Sequence, residues 1–211
     1  MNRIYLDNAA TTPLYPEVID AMVAVLQNDF GNPSSTHSYG RSAKNLLETA
    51  RKSIAKRLRI QASELIFTAH ATEATNLILQ SAVQDIGIKR IITSKIEHHA
   101  TLHTIQHLEK TNNIEIVYID ILPTGMIDYL HLAKLLHEEK HTLVSLMHVN
   151  NEIGTILDIE RVGKLCIAAS ALFHCDTVQS IGKIDLNLHE LPIDFAIATA
   201  HKFHGPKGIG F

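Results

Sequence analysis

From residue 64 onward, short β-branched and apolar runs alternate with stretches of helical periodicity, and this alternation limits the fold more than any other feature. Candidate strands are Glu64–Thr68, Arg90–Ser94, Glu115–Ile119, Leu143–Val149, Leu172–Cys175 and Asp194–Thr199. Helical patterns lie between them, near Glu73–Asp85, Ala100–Lys110, Asp128–His137 and Ile159–Ala169. Strands of this length separated by whole helices cannot pair as hairpins. They read as βαβ units, hence an α/β fold with a mostly parallel sheet flanked by helices. Two further helices, near Pro16–Gln27 and His37–Leu58, come first and are separated by the turn-rich stretch Asn28–Ser35. Residues 1–60 therefore read as an N-terminal helical arm, and residues 61–211 as one domain.

A chain of 211 residues with 45% hydrophobic content can bury a full core. The net charge of −3, with acidic and basic residues interleaved, gives no footprint for nucleic acid or an anionic membrane. Met1–Asp7 lacks the apolar core of a signal peptide and no apolar run is long enough to span a bilayer, so the expected location is cytoplasmic. Cys166 and Cys175 form neither a disulfide framework nor a metal spacing. Among the fourteen histidines, His99, His103 and His107 share one helix face. With no thiolate or carboxylate beside them at ligand spacing, they read as the solvated side of that helix, and no metal is expected.

Parallel α/β sheets bind ligands beyond the carboxyl ends of their strands, so what each strand presents there matters most. Ala69-His70-Ala71-Thr72-Glu73 follows the first candidate strand and opens a helix, and Glu97-His98-His99 follows the second. Further along come Asn150-Asn151-Glu152, then Asp176 through Ser180 with Gln179, and finally Thr199-Ala200-His201-Lys202 ahead of a Gly/Pro-rich turn. Each has a plain structural reading too: Thr72 as a helix N-cap, Asp176 as the cap of a following helix, Asn151 as a turn former, His98 as a surface histidine, Lys202 as a loop lysine. Together, however, the set meets the needs of one cofactor, pyridoxal phosphate (PLP). PLP takes a lysine on its aldehyde, an acid at its pyridinium nitrogen, donors for its phosphate and a group stacked on its ring. A lysine at the mouth of a buried strand is also costly to desolvate as a cation, which favours the neutral amine that carbonyl chemistry requires.

Five segments carry a family resemblance: Tyr5 through Pro13; Gly31 through Ser35 with His37 and Gly40-Arg41; Ala71-Thr72-Glu73; His148 through Gly154; and Thr199 through Gly210. With His174-Cys175-Asp176 and Gln179-Ser180 between the last two, they run from end to end. On these residues the sequence closely resembles the cysteine desulfurases of the NifS/IscS type, in the class V aminotransferase branch of fold-type I PLP enzymes. The resemblance implies that Lys202 binds the PLP aldehyde covalently, Asp176 pairs with the pyridine nitrogen, and His98 stacks on the ring and moves protons. It assigns Asn151 and Gln179 to the ring oxygen, and Ala71, Thr72, Thr199 and His201 to the phosphate. The implied reaction takes sulfur from L-cysteine, leaving L-alanine and an enzyme persulfide. A homodimer and hand-off to an iron–sulfur scaffold or sulfur-carrier protein are implied as well. Selenocysteine lyase, or another class V activity, is the alternative within the same cofactor chemistry.

Two departures stand out. His70 occupies the place where the family usually has glycine, so a side chain either crowds the phosphate, requires positive φ, or supplies an extra imidazole donor; weaker PLP binding is the expectation. The family's persulfide cysteine and its carboxylate-binding arginine are also expected beyond Phe211. Cys166 falls on the apolar face of its helix and Cys175 inside a strand, so neither is expected to replace that cysteine. A non-catalytic fragment, or one part of a split enzyme, is therefore the rival expectation.

Overall fold

The computed structural model describes residues 3–211. Five strands, β1 (Arg90–Thr93), β2 (Glu115–Tyr118), β3 (Thr142–Met147), β4 (Leu172–Asp176) and β5 (Phe195–Ile197), form one sheet in the order β2-β1-β3-β4-β5. Every pairing is parallel, with Ile92 opposite Val144 and Val144 opposite Phe173. All six residues of β3 are buried, which explains why the central run is continuously apolar rather than alternating.

Six helices accompany the sheet: α1 (Pro16–Asn28), α2 (Ser38–Leu58), α3 (Ala71–Gln84), α4 (His99–Asn112), α5 (Tyr129–Leu136) and α6 (Ile159–Ala168). Side-chain alternation along the strands gives each face its own core. Ile91 and Leu143 pack with Leu79 and Ala82 of α3 and with Ile105 and Leu108 of α4. Ile92, Val144 and Phe173 pack with Leu132 and Leu136 of α5 and with Val162 and Cys166 of α6. The result is three layers, helix–sheet–helix, as the alternation requires.

One expected strand is absent. Around Glu64–Thr68, residues Ala62–Glu64 form a short 3-10 turn, and ladder pairing is limited to a single antiparallel bridge from Thr68 to Gly210. Gly210 also bridges Thr199, so the apolar stretch from Leu65 is extended beside β5 without becoming a strand of the sheet. An apolar run needs a backbone partner along its length to become a strand, and composition cannot supply that.

The arm is held differently. Pro16 starts α1, where its missing N–H costs nothing, but no residue of α1 is buried. Attachment runs through the chain just before it: Thr12 N–H donates to His201 O at 2.9 Å, and His204 N–H donates to Thr12 Oγ1 at 2.7 Å. Tyr15 stacks on His204 with ring centroids 4.1 Å apart. Among the described residues, no helix is long and apolar enough to cross a membrane.

Candidate active site

The sheet reverses its direction of growth between β1 and β3, and loops leaving neighbouring strands part at such a point. A cleft of about 410 Å³ opens above the carboxyl ends there. Ala71, Thr72, His98, Asn151, Asp176, Gln179, Thr199, His201 and Lys202 all line it, so every candidate named from sequence reaches the same space. Asp7, Ala9 and Ala10 of the arm close one side, and His70, Thr75 and Glu152 also contribute.

The Lys202 side chain is half-buried, and its amine donates to Ala10 O at 2.8 Å and to Ala9 O. Burial lowers its pKa first, and the Lys183 charge adds to that; Asp7 and Asp176 pull the other way. Asp176, at the end of β4, is 8% exposed, and burial lifts its carboxyl to about 6 against the pull of Val178 N–H and Lys202. Its Oδ1 accepts Val178 N–H at 3.0 Å, so Asp176 caps a turn and not, as one reading had it, a helix.

His98 begins α4, with Nδ1 accepting Ala100 N–H at 3.1 Å, which leaves Nε2 as the protonated nitrogen of the neutral ring. Burial, then the Lys202 and His99 charges, keep that ring below the usual imidazole range. The stripe His99, His103 and His107 is exposed as expected, and no metal-sized cluster of ligands occurs among the described residues. His201 Nδ1 lies 3.1 Å from Thr11 Oγ1. Gln179 is committed to the arm: its amide nitrogen donates to Ala9 O at 2.8 Å, and its oxygen accepts from Lys183.

At the start of α3 the N-cap is His70, not Thr72. Nδ1 of His70 accepts Glu73 N–H at 3.1 Å, and Glu73 returns the favour to Ala69 N–H at 2.6 Å. His70 has φ −172°, so the left-handed strain expected of a side chain at this position does not arise. As first residues of the helix, Ala71 and Thr72 have N–H groups with no intrahelical acceptor, directed as helix starts are toward anions. Gly210 permits this packing, since a Cβ there would come 2.9 Å from His70 C.

Sequence reasoning missed two contributors. Glu97, buried beside Asp176, accepts from Ser94 Oγ at 2.6 Å. Burial raises it to about 8, with Asp176 adding to the rise and the Ser94 hydroxyl and Met147 N–H opposing it. A carboxylate at the end of an apolar strand was the available signal. The Ala9 and Ala10 carbonyls on Lys202 left no signal, because backbone acceptors carry no residue type. Neither thiol reaches the cleft: Cys166 is buried and pushed up to about 12, and burial raises Cys175 well above the usual thiol range.

A family model for class-V aminotransferases matches residues 4–211. The chain belongs to that family. Among relatives, it is 44% identical over 210 residues to the cysteine desulfurase IscS of Dictyoglomus turgidum, covering 99% of this chain and 53% of that protein. Against the cysteine desulfurase IscS of Rickettsia typhi the identity is 43%, covering 98% and 51%. Among solved structures, a NifS-like protein superposes with a TM-score of 0.95 at 39% identity, covering 99% of this chain and 58% of that one. A second, SspA in complex with cysteine, gives 0.90 at 33% identity, covering 99% and 60%. This class-V chain thus spans about half the length of the curated relatives it matches.

Proposed function

We propose that the chain is the cofactor-binding part of a PLP-dependent cysteine desulfurase. In this reading residues 1–60 are an arm and residues 61–211 an incomplete cofactor domain. The observation that carries it is the convergence of an amine, a buried carboxylate, an imidazole and an open helix start on one cleft, in a chain this similar to named desulfurases. The donor set fits the cofactor: two free N–H groups suit a phosphate, with Thr199, whose hydroxyl donates to Ile209 O at 3.2 Å, beside them, and Asp176, held otherwise by Val178 N–H alone, suits a protonated ring nitrogen.

When bound, PLP supplies an electron sink that weakens bonds at the carbon bearing the substrate amine. Lys202 would hold the cofactor covalently, and its free amine, depressed by burial, can take up a proton. Asp176 keeps a proton on the ring nitrogen. His98 covers one ring face, and its neutral ring, with Nδ1 held by Ala100 N–H, has the Nε2 proton to donate. Asn151 serves the ring oxygen, joined by Gln179 when its amide leaves Ala9 O, and Ala71, Thr72, Thr199 and His201 hold the phosphate. L-cysteine is the substrate, L-alanine and a persulfide the products, and an iron–sulfur scaffold or sulfur carrier the acceptor. The protein is cytoplasmic and works as a homodimer.

A second reading, in which these 211 residues bind cofactor without turning over, is supported by the two sealed thiols, since sulfur transfer needs a thiolate that can approach substrate. Borohydride reduction after incubation with PLP, followed by peptide mapping, tests the site. Label confined to Lys202 is expected; label absent or scattered over surface lysines overturns the assignment.

A further inference from the structure

Asn150 has no place in the scheme above, although it sits where the two site-bearing loops part. It is 5% exposed, three residues past the end of β3 and directly before Asn151. Its Oδ1 accepts Glu152 N–H at 2.8 Å and Ile153 N–H at 3.1 Å, winding the β3 exit into a tight turn. That turn is completed by Asn150 N–H on Thr155 O at 3.0 Å. Its Nδ2 crosses to the neighbouring loop and donates to Ile96 O at 2.9 Å, two residues before His98. One side-chain amide thereby ties the loop after β1 to the loop after β3, across the point where strand order reverses. The β1 loop is pinned from its other side by Glu97 on Ser94.

We infer that Asn150 is a positioning residue: it sets the separation of His98 and Asn151 across the cleft, and so the gap into which the flat cofactor ring enters. The inference rests on the PLP reading of the cleft. A buried amide using one donor and two acceptor sites is fully determined in orientation, which suits a spacer better than a long flexible side chain. Loss of the bond to Ile96 frees the β1 loop, and His98 with it, while the β3 turn persists.

The test is a double-mutant cycle on PLP affinity, titrated by the absorbance of the Lys202-bound cofactor. The wild-type chain comes first. If it attaches no PLP at Lys202, the cofactor reading itself has failed, a result separate from anything Asn150 does. Given attachment, Asn150→Ser keeps a hydroxyl acceptor for the turn but cannot reach Ile96. It is expected to raise the PLP Kd about fivefold, and by less than about twofold in a His98→Ala background. Asn150→Asp retains both turn bonds without the donor and replaces Ser if the first variant melts early. An unchanged Kd, or the same rise with and without His98, overturns the inference, because a purely structural amide acts independently of the imidazole.

Discussion

The strand-end cleft and the N-terminal arm lie side by side, yet they are built on opposite principles. The cleft stands on two apolar cores that clamp the sheet, and its polar groups are buried at the cost of shifted proton affinities. The arm contributes almost nothing to either core: α1 buries no residue and leaves Ile19, Val23 and Leu26 open to solvent. What holds α1 is a short polar seam from Ala9 to Tyr15, against Lys202, His201 and His204, whereas α2 packs Leu58 on Leu65, Ile181 and Ala198. Stability and chemistry therefore depend on different residues, and substitution can separate them.

The sharpest break is Lys202→Ala. Covalent attachment of PLP should vanish completely while circular dichroism and melting temperature stay near wild type, because a half-exposed amine adds little to either core. Retained attachment in that variant would remove the basis of the site. Phe173→Ala strikes the opposite term: a fully buried ring at the centre of the α5/α6 face should cost about 3–5 kcal/mol in denaturant unfolding.

Glu97→Gln comes next and is read through pH. The folded carboxyl holds its proton to about 8, whereas the unfolded one releases it near 4.5, so the stability it contributes is lost as pH rises through that window. The buried imidazoles act in the opposite sense, because their unfolded counterparts still bind protons near pH 6.5, so Glu97 is read from the difference between wild type and variant. From pH 6.5 to 8 the melting temperature of the wild-type chain should fall by roughly 5 °C relative to that of the variant. Parallel slopes for both proteins would show that Glu97 is not the titrating group. Smallest of all, Ile19→Ala on α1 should change unfolding free energy by no more than about 0.5 kcal/mol. A loss comparable to that of Phe173→Ala would mean the arm is packed after all.

Much of this was legible in the sequence because local pattern and burial agree along the sheet. The runs at Arg90, Glu115, Leu143, Leu172 and Asp194 became strands, and helix limits fell within a few residues of those expected. Leu65–Thr68 reads the same locally and failed, because strand formation needs a neighbour that sequence does not specify. The candidate residues reached one cleft because strand ends in a parallel sheet share one edge. What stayed hidden were relations: His70 capping α3 in place of Thr72, Asn150 reaching across to Ile96, and two arm carbonyls meeting an amine some 190 residues away. Such contacts follow from assembled geometry rather than from any residue's own preference.

The two sealed cysteines give the chain a built-in record of its own breathing. A thiol-specific reagent can react only when the protein opens, so each labelling rate measures an opening equilibrium. Cys166 lies on α6 at the outer layer, and Cys175 lies in β4 at the middle of the sheet. Under native conditions the first reports the detachment of a helix and the second the parting of the sheet beside Asp176. The difference between the two rates measures how far the floor of the cleft outlasts its walls.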